Sequence, residues 1–300
     1  MKERNSGLII ENLLNKVKQN RKYKTISEDI VLTEINKYLK SNQINHFSKN
    51  QEKLAIKEIR KRLHRLYSSY QTKKKNKRES YLEDLKKVKS KKELLELTKK
   101  FLSIAISTKE RINDYESIYE KIFSITKTPK VITDLGAGLN PLSFPLMDLE
   151  DESLAYYSYD IDLNDANFLN DYFKILKENL KINITGKAEI LDVSNPDNIR
   201  KLKSSNIIFM FKLIDLIDNK NKKTKKISED IIKTIFKLKK ADFIVASFAK
   251  RTLSGKSMNI PIRRGFELML ERNNLAFFSF STDNEIFYIM SINLKPYSLE

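Results

Sequence analysis

The sequence predicts an open α/β domain preceded by a helical, basic region. Residues 8–108 place apolar side chains at helical spacing, with no Gly or Pro after Gly7 and no strand-like alternation. From residue 131 short apolar runs alternate with helical stretches, which implies parallel strands joined by crossovers. The charge is uneven: residues 1–110 hold 29 Lys/Arg against 13 Asp/Glu, and residues 111–300 hold 28 against 26. The predicted division is a helical basic domain over 1–108 and an α/β domain over 109–300.

Leu8, Ile9, Leu13, Leu14 and Val17 mark the first helix. Thr25 and Glu28 have capping-box spacing and open a second, carrying Ile30, Val31, Ile35 and Tyr38. A third, over about 51–70, interleaves Leu54, Ile59 and Leu63 with Lys53, Lys57, Arg60, Lys61 and Arg65. KKKNKR (73–78) reads as a loop, and two helical stretches follow around Leu85 and Leu97. Residues 109–126 form a helix that Pro129 stops. Strands are predicted at 131–136, 154–162, 187–193, 206–213 and 242–248, with helices at 164–181, 227–240 (Ser228 as a cap) and 261–273. Two closing strands flank Asp283-Asn284 as an antiparallel hairpin.

Composition narrows the chemistry. The chain has no cysteine, which removes disulfides, thiolate metal sites and cysteine nucleophiles. Its only histidines, His46 and His64, do not suffice for a multi-histidine metal site, so no metal is expected. No long apolar run predicts a membrane segment, and the first residues lack a secretory pattern, so a cytoplasmic monomer is expected. A basic arm on a near-neutral body points to a polyanionic partner.

There are six glycines, and two of them, Gly136 and Gly138, stand directly after the first strand in DLGAGLNP (134–141). Glycine there permits positive φ and close approach of backbone to a ligand. The third glycine of the dinucleotide fingerprint and a Walker lysine are absent. The second strand ends in Asp160 and Asp162, and an acid at that point can take both hydroxyls of a ribose. A ligand with a ribose but no pyrophosphate fits, and S-adenosylmethionine meets that description. Without cysteine, cytosine-C5 methylation is excluded. The adenine-N6 signature is absent too, because Asn195-Pro196 is followed by Asp197.

Four ordered blocks resemble the aminoglycoside-resistance 16S rRNA (guanine-N7) methyltransferases: STKERINDYESIYEKIF (107–123), TDLGAGLNPLSFP (133–145), YYSYDIDLNDANFL (156–169) and SFAKRTLSGK (247–256). The chain departs from that family's pattern at Ala137, Ala249 and Ile214-Asp215. The resemblance implies a class I (Rossmann-like) methyltransferase with a seven-stranded sheet, S-adenosylmethionine as cofactor, and the small ribosomal subunit as partner. It also implies a guanine N7 target in the decoding region, with either a resistance or a housekeeping role. Another RNA, adenine N1, or a catalytically silent RNA-binding factor remain the alternatives.

Site roles follow from the resemblance together with physical chemistry. Arg111 pairs with the methionine carboxylate through its planar fork. Asp134 steadies the loop or meets the amino group, Gly136 and Gly138 line the cofactor with backbone, and Asp160 with neighbouring Ile161 holds the ribose side. Asp192 either receives the adenine amino group or caps a turn. Lys212 and Arg251 either approach the target base or phosphate, or form surface ion pairs. Lys53, Lys57, Arg60, Lys61, Arg65 and Lys256 are the candidate RNA contacts, binding phosphate without reading bases.

Overall fold

The computed structural model describes residues 2–42, 48–67, 78–149, 152–218, 227–251 and 263–294. Within them the α/β alternation becomes seven strands: β1 (Val131–Leu135), β2 (Leu154–Asp160), β3 (Ile184–Ile190), β4 (Ser205–Phe211), β5 (Ala241–Ala249), β6 (Ala276–Ser281) and β7 (Glu285–Ser291). Their order is β3-β2-β1-β4-β5-β7-β6. β1 to β5 run parallel, β6 and β7 pair antiparallel as the hairpin reading expects, and β7 lies between β5 and β6, antiparallel to β5. The order reverses between β1 and β4, which opens a crevice beyond their carboxyl ends.

The central strands are apolar on both faces because helices cover both. On β4, Ile207, Phe209 and Phe211 pack into one core with Tyr119 and Tyr156, while Ile208 and Met210 pack into another with Ile231 and Leu270. The flanking helices are α4 (Arg78–Lys86), α5 (Lys91–Leu102), α6 (Ile106–Lys109), α7 (Tyr115–Thr126), α8 (Leu163–Glu178), α9 (Ile214–Asp218), α10 (Ile227–Lys237) and α11 (Arg264–Arg272). Gly186 on β3 lets α8 approach closely: a Cβ there would meet the Phe173 ring at 2.0 Å. Gly186→Ala is therefore expected to cost about 1–3 kcal/mol by overpacking, read as a lower unfolding midpoint.

The contacts draw the division between units at 71/72 rather than at 108/109. Leu85 on α4 and Leu94, Leu97, Phe101 and Leu102 on α5 bury into the same core as Tyr172 of α8. Phe101 meets the Tyr172 ring edge-on at 6.3 Å. Arg78, at the start of α4, also pairs with buried Asp165. These two helices therefore belong to the sheet domain. The smaller unit consists of residues 1–71 with 161–164. Its helices are Lys2–Lys18, Glu28–Asn42 and Lys49–Tyr67, which lie in the sequence before α4.

Several local expectations are corrected. The second helix starts after Ser27, whose carbonyl accepts from Val31 N at 3.2 Å, so Thr25 is not its cap. Thr25 instead offers its carbonyl to Leu163 N (3.2 Å) beside the bridge between Ile26 and Asp162. Residues 110–114 are turns, so α7 begins later than the predicted 109. Ser228 sits inside α10, and the Asp218 carboxylate accepts from its N–H (2.9 Å) and hydroxyl (2.6 Å), satisfying donors at the helix start. Of the predicted loop over 73–78, Arg78 instead begins α4, while residues 73–77, like His46 and the basic stretch 220–226, lie outside the described residues. Among the described residues, no helix is long and apolar enough to cross a membrane.

Candidate functional site

At the carboxyl end of β1 the chain turns under two positive-φ glycines, Gly136 at +63° and Gly138 at +50°. Gly136 N–H donates to the Tyr159 carbonyl (2.8 Å), tying the turn to β2. A Cβ on Gly136 would stand 2.7 Å from the Leu213 side chain, whereas one on Gly138 would meet nothing within 4 Å. The turn is thus closed against β4 on one side and open over Gly138. Gly138 N–H donates to Asp160 Oδ2 at 2.7 Å, so the strand-end carboxylate and the glycine turn meet at one place.

Asn140 and Pro141 start a 3-10 turn in which the Asn140 side chain is a hub. Its Nδ2 donates to Asp134 Oδ2 (2.8 Å), and its Oδ1 accepts from Tyr115 OH (2.9 Å) and Arg111 Nη1 (3.4 Å). Tyr156 OH also donates to Asp134 Oδ2 (3.0 Å). Asp134 is fully buried, and burial pushes its carboxyl up to about 7, only partly offset by the hydrogen bonds from Asn140 and Tyr156.

Arg111 is 2 % exposed and forms a two-point pair with Glu285, Nε to Oε1 at 2.7 Å and Nη2 to Oε2 at 2.9 Å. Its guanidinium lies over the Phe211 ring, 4.9 Å from the centroid. Glu285 opens β7 and also accepts from Ser247 Oγ (2.7 Å), with Lys212 Nζ 3.1 Å from Oε1. Burial pushes the Glu285 carboxyl up, but Arg111 and Lys212 outweigh it and hold the group below its ordinary value. A continuous buried polar chain therefore runs from Lys212 through Glu285, Arg111 and Asn140 to Asp134.

Of the expected site residues, Arg111, Asp134, Gly136, Gly138 and Asp160 converge on this edge. Leu191 N–H donates to the Asp160 carbonyl (2.9 Å), which brings the end of β3 alongside the end of β2. Asp192 follows there and accepts from Ser194 N (2.9 Å) and Oγ (2.6 Å), the geometry of its turn-capping alternative. Ile161 falls in the smaller unit, where its carbonyl accepts from Ser27 N at 3.4 Å. Lys212 adopts positive φ at the end of β4, and its ammonium pairs with Glu110 as well as Glu285, which is its ion-pair alternative. Arg251 is exposed just past β5, and Lys256 lies outside the described residues. Asn140, Ser247 and Glu285 were missed as site residues. The available signal for Glu285 was a single carboxylate opening an apolar strand, EIFYIM.

In the smaller unit Lys53, Lys57 and Lys61 repeat every four residues on one helix face. With Lys16, Tyr23 and His64 they line a groove of about 770 Å³. Lys61 Nζ lies 3.8 Å from Glu58 Oε1, and the Arg60 guanidinium donates to the Lys16 and Val17 carbonyls and caps the first helix. The Arg65 side chain is outside what the structure describes.

The residues at the β1–β2 edge fit an adenosyl cofactor. They offer an open glycine turn, a carboxylate at the second strand end, and a buried guanidinium for an anion. One consequence concerns pH. Asp134 binds its proton more tightly folded than unfolded, so its ionisation destabilises the native state as pH rises from about 4 to about 7. Against wild type, Asp134→Asn is expected to gain stability across that window by about 4 kcal/mol, with the difference level above pH 8. Denaturant unfolding at pH 5, 6, 7 and 8 checks this, and a constant difference contradicts it.

Three comparisons bear on the reading. A family model described as ribosomal RNA methyltransferase (FmrO) matches residues 19–289. The 16S rRNA (guanine(1405)-N(7))-methyltransferase of Proteus mirabilis is 31 % identical over 166 residues, covering 55 % of this chain and 53 % of that protein. The protein of the same name from Frankia casuarinae is 23 % identical over 191 residues, covering 63 % and 62 %. The matched stretches thus span between half and two thirds of these relatives' lengths. The crystal structure of the 16S rRNA methyltransferase RmtF with S-adenosyl-L-homocysteine shares the fold, with a TM-score of 0.71 at 17 % identity, covering 94 % of this chain and 97 % of that one.

Proposed function

The chain belongs to the ribosomal RNA methyltransferase (FmrO) family, and on that premise we propose that it transfers the methyl group of S-adenosylmethionine to N7 of a guanine in 16S rRNA, in the decoding region of the small subunit. The observation that carries the cofactor half is the 2.7 Å hydrogen bond from Gly138 N–H to Asp160. It holds an open backbone turn and a ribose-binding carboxylate in register at the switch point of the sheet. The substrate half rests on the family and on the relatives' names.

The transferred methyl is activated by the sulfonium of the bound cofactor. The protein's own part is then placement of the acceptor in line with it. Guanine N7 carries a lone pair and no proton, so the residues at this edge need not supply a general base. Arg111 holds the carboxylate, Asp160 the ribose, and the 136–138 turn the space between them. Arg251 and Lys256 meet the RNA near the target base. Lys53, Lys57 and Lys61 bind phosphates without reading bases.

The test is transfer of labelled methyl to intact small subunits, whole ribosomes, naked rRNA and tRNA. Label confined to small subunits, mapped to N7 of one guanine, is the expected result. Label on tRNA or on an adenine overturns the substrate. No label and no cofactor binding overturns the activity. For the basic groove, Lys53→Ala with Lys57→Ala is expected to weaken subunit binding without changing cofactor affinity. It should also lower the slope of log K against log salt by about one per lysine.

A further inference from the structure

Glu285 sits where the relation between the cofactor arginine and the end of β4 is decided. Its carboxylate is inaccessible to solvent and serves three partners at once: Arg111 on both oxygens, Lys212 on Oε1 and Ser247 on Oε2. The pair with Arg111 uses the Nε edge of the guanidinium, and Phe211 covers one face. What remains directed toward the β1 loop is the Nη1 end, beside Asn140 and Tyr115. A guanidinium gripped on one edge and one face has little rotational freedom, so the direction of its other edge is set by Glu285.

We propose that Glu285 is the positioning residue of the cofactor site: it fixes Arg111 so that the Nη end of the guanidinium meets the α-carboxylate of S-adenosylmethionine, and it anchors Lys212 on the same carboxylate. This rests on the reading that Arg111 receives that carboxylate. Glu285 does not touch the cofactor itself. It is assigned through Arg111, 174 residues away in sequence. Sharing one anion between Arg111 and Lys212 also links the cofactor side of the crevice to the end of β4. A displacement of either cation changes the electrostatic hold on the other.

The proposal separates ligands by their amino-acid moiety. S-adenosylhomocysteine carries the α-carboxylate, and 5′-methylthioadenosine has the adenosine and the thioether but no carboxylate. Calorimetric titration of the full chain with both compounds is the experiment. Glu285→Gln is expected to weaken S-adenosylhomocysteine tenfold or more and to leave methylthioadenosine within twofold. Glu285→Asp keeps the charge but shortens the reach. It is expected to show the same selectivity at smaller size, and it replaces Glu285→Gln as the test if the latter does not fold. Equal losses for both ligands mean a merely structural carboxylate and overturn the proposal, as does no loss for either. Arg111→Lys, titrated in parallel, tests the reading underneath. Equal losses for both ligands in Arg111→Lys, or no loss for either, overturn the Arg111 assignment and the proposal with it. A selective loss in Arg111→Lys without one in Glu285→Gln or Glu285→Asp overturns the proposal alone.

Discussion

Arg111→Ala is expected to abolish useful cofactor binding and to destabilise the fold, and Arg111→Lys is expected to separate the two effects. Removing the guanidinium leaves Glu285 buried with only Lys212 and Ser247 as partners. Breaking a buried pair from one side costs about 3–5 kcal/mol. Lys212 remains within 3.1 Å, so the lower end of that range is expected here. A cofactor carboxylate deprived of its cation loses about 2–5 kcal/mol, a weakening of tens to thousands of fold in Kd. Arg111→Lys restores a positive charge beside Glu285 and should recover most of the stability. It cannot restore the planar fork, so most of the affinity loss remains. Chemical denaturation and calorimetry on the same two variants read the two quantities separately. Equal affinity for S-adenosylmethionine in wild type and Arg111→Lys would remove Arg111 from the cofactor site.

A second comparison sharpens the stability half. Combining Arg111→Ala with Glu285→Gln removes the charge that the single substitution orphans. The double variant should then unfold at higher denaturant than Arg111→Ala alone. Residues in one hydrogen-bond network couple by about 0.5–3 kcal/mol, large enough to measure. Additive losses would mean that the pair does not act as a unit.

What was legible in the sequence were features that local geometry dictates. Gly136 and Gly138 stood out because glycine is scarce and both follow a strand. Asp160 stood out because it ends the next one. Each owes its role to neighbours a few residues or one parallel strand away, and strand ends are readable from apolar runs. Glu285 owes its role to Arg111, and nothing in a single sequence pairs two charges 174 residues apart. The antiparallel hairpin was readable from Asp283-Asn284, but not that β7 would insert between β5 and β6 and bring Glu285 next to Arg111. The unit boundary failed for a related reason. The helices at 78–86 and 91–102 look like those before them in charge and spacing, and only their burial against α8 assigns them to the sheet domain. Arg60 shows the opposite error. It shares a helix with three exposed lysines, yet its length lets it reach back to the end of the first helix, so it caps carbonyls there.

Asp160→Ala is expected to produce the largest loss on the adenosine side, with a ligand pattern opposite to that of Arg111. On the proposed reading the carboxylate has two tasks: Oδ2 accepts from Gly138 N–H, and the group binds the ribose hydroxyls. Hydrogen bonds to a charged group contribute about 1.5–3 kcal/mol each, so losing contacts to two hydroxyls implies a weakening of a hundredfold or more. The Gly138 N–H also loses its acceptor, which loosens a turn held at positive φ. Asp160→Asn keeps an oxygen for Gly138 N–H and offers an amide to the ribose, so an intermediate loss is expected. The ligand comparison then discriminates. Methylthioadenosine retains the ribose and lacks the carboxylate, so Asp160→Ala should weaken it as strongly as S-adenosylhomocysteine. Arg111→Lys and the Glu285 variants should spare it. Two groups of variants with crossed ligand profiles would place the two ends of the cofactor at opposite ends of the 136–140 turn. If Asp160→Ala spared methylthioadenosine, the strand-end carboxylate would be holding the loop and not the ribose.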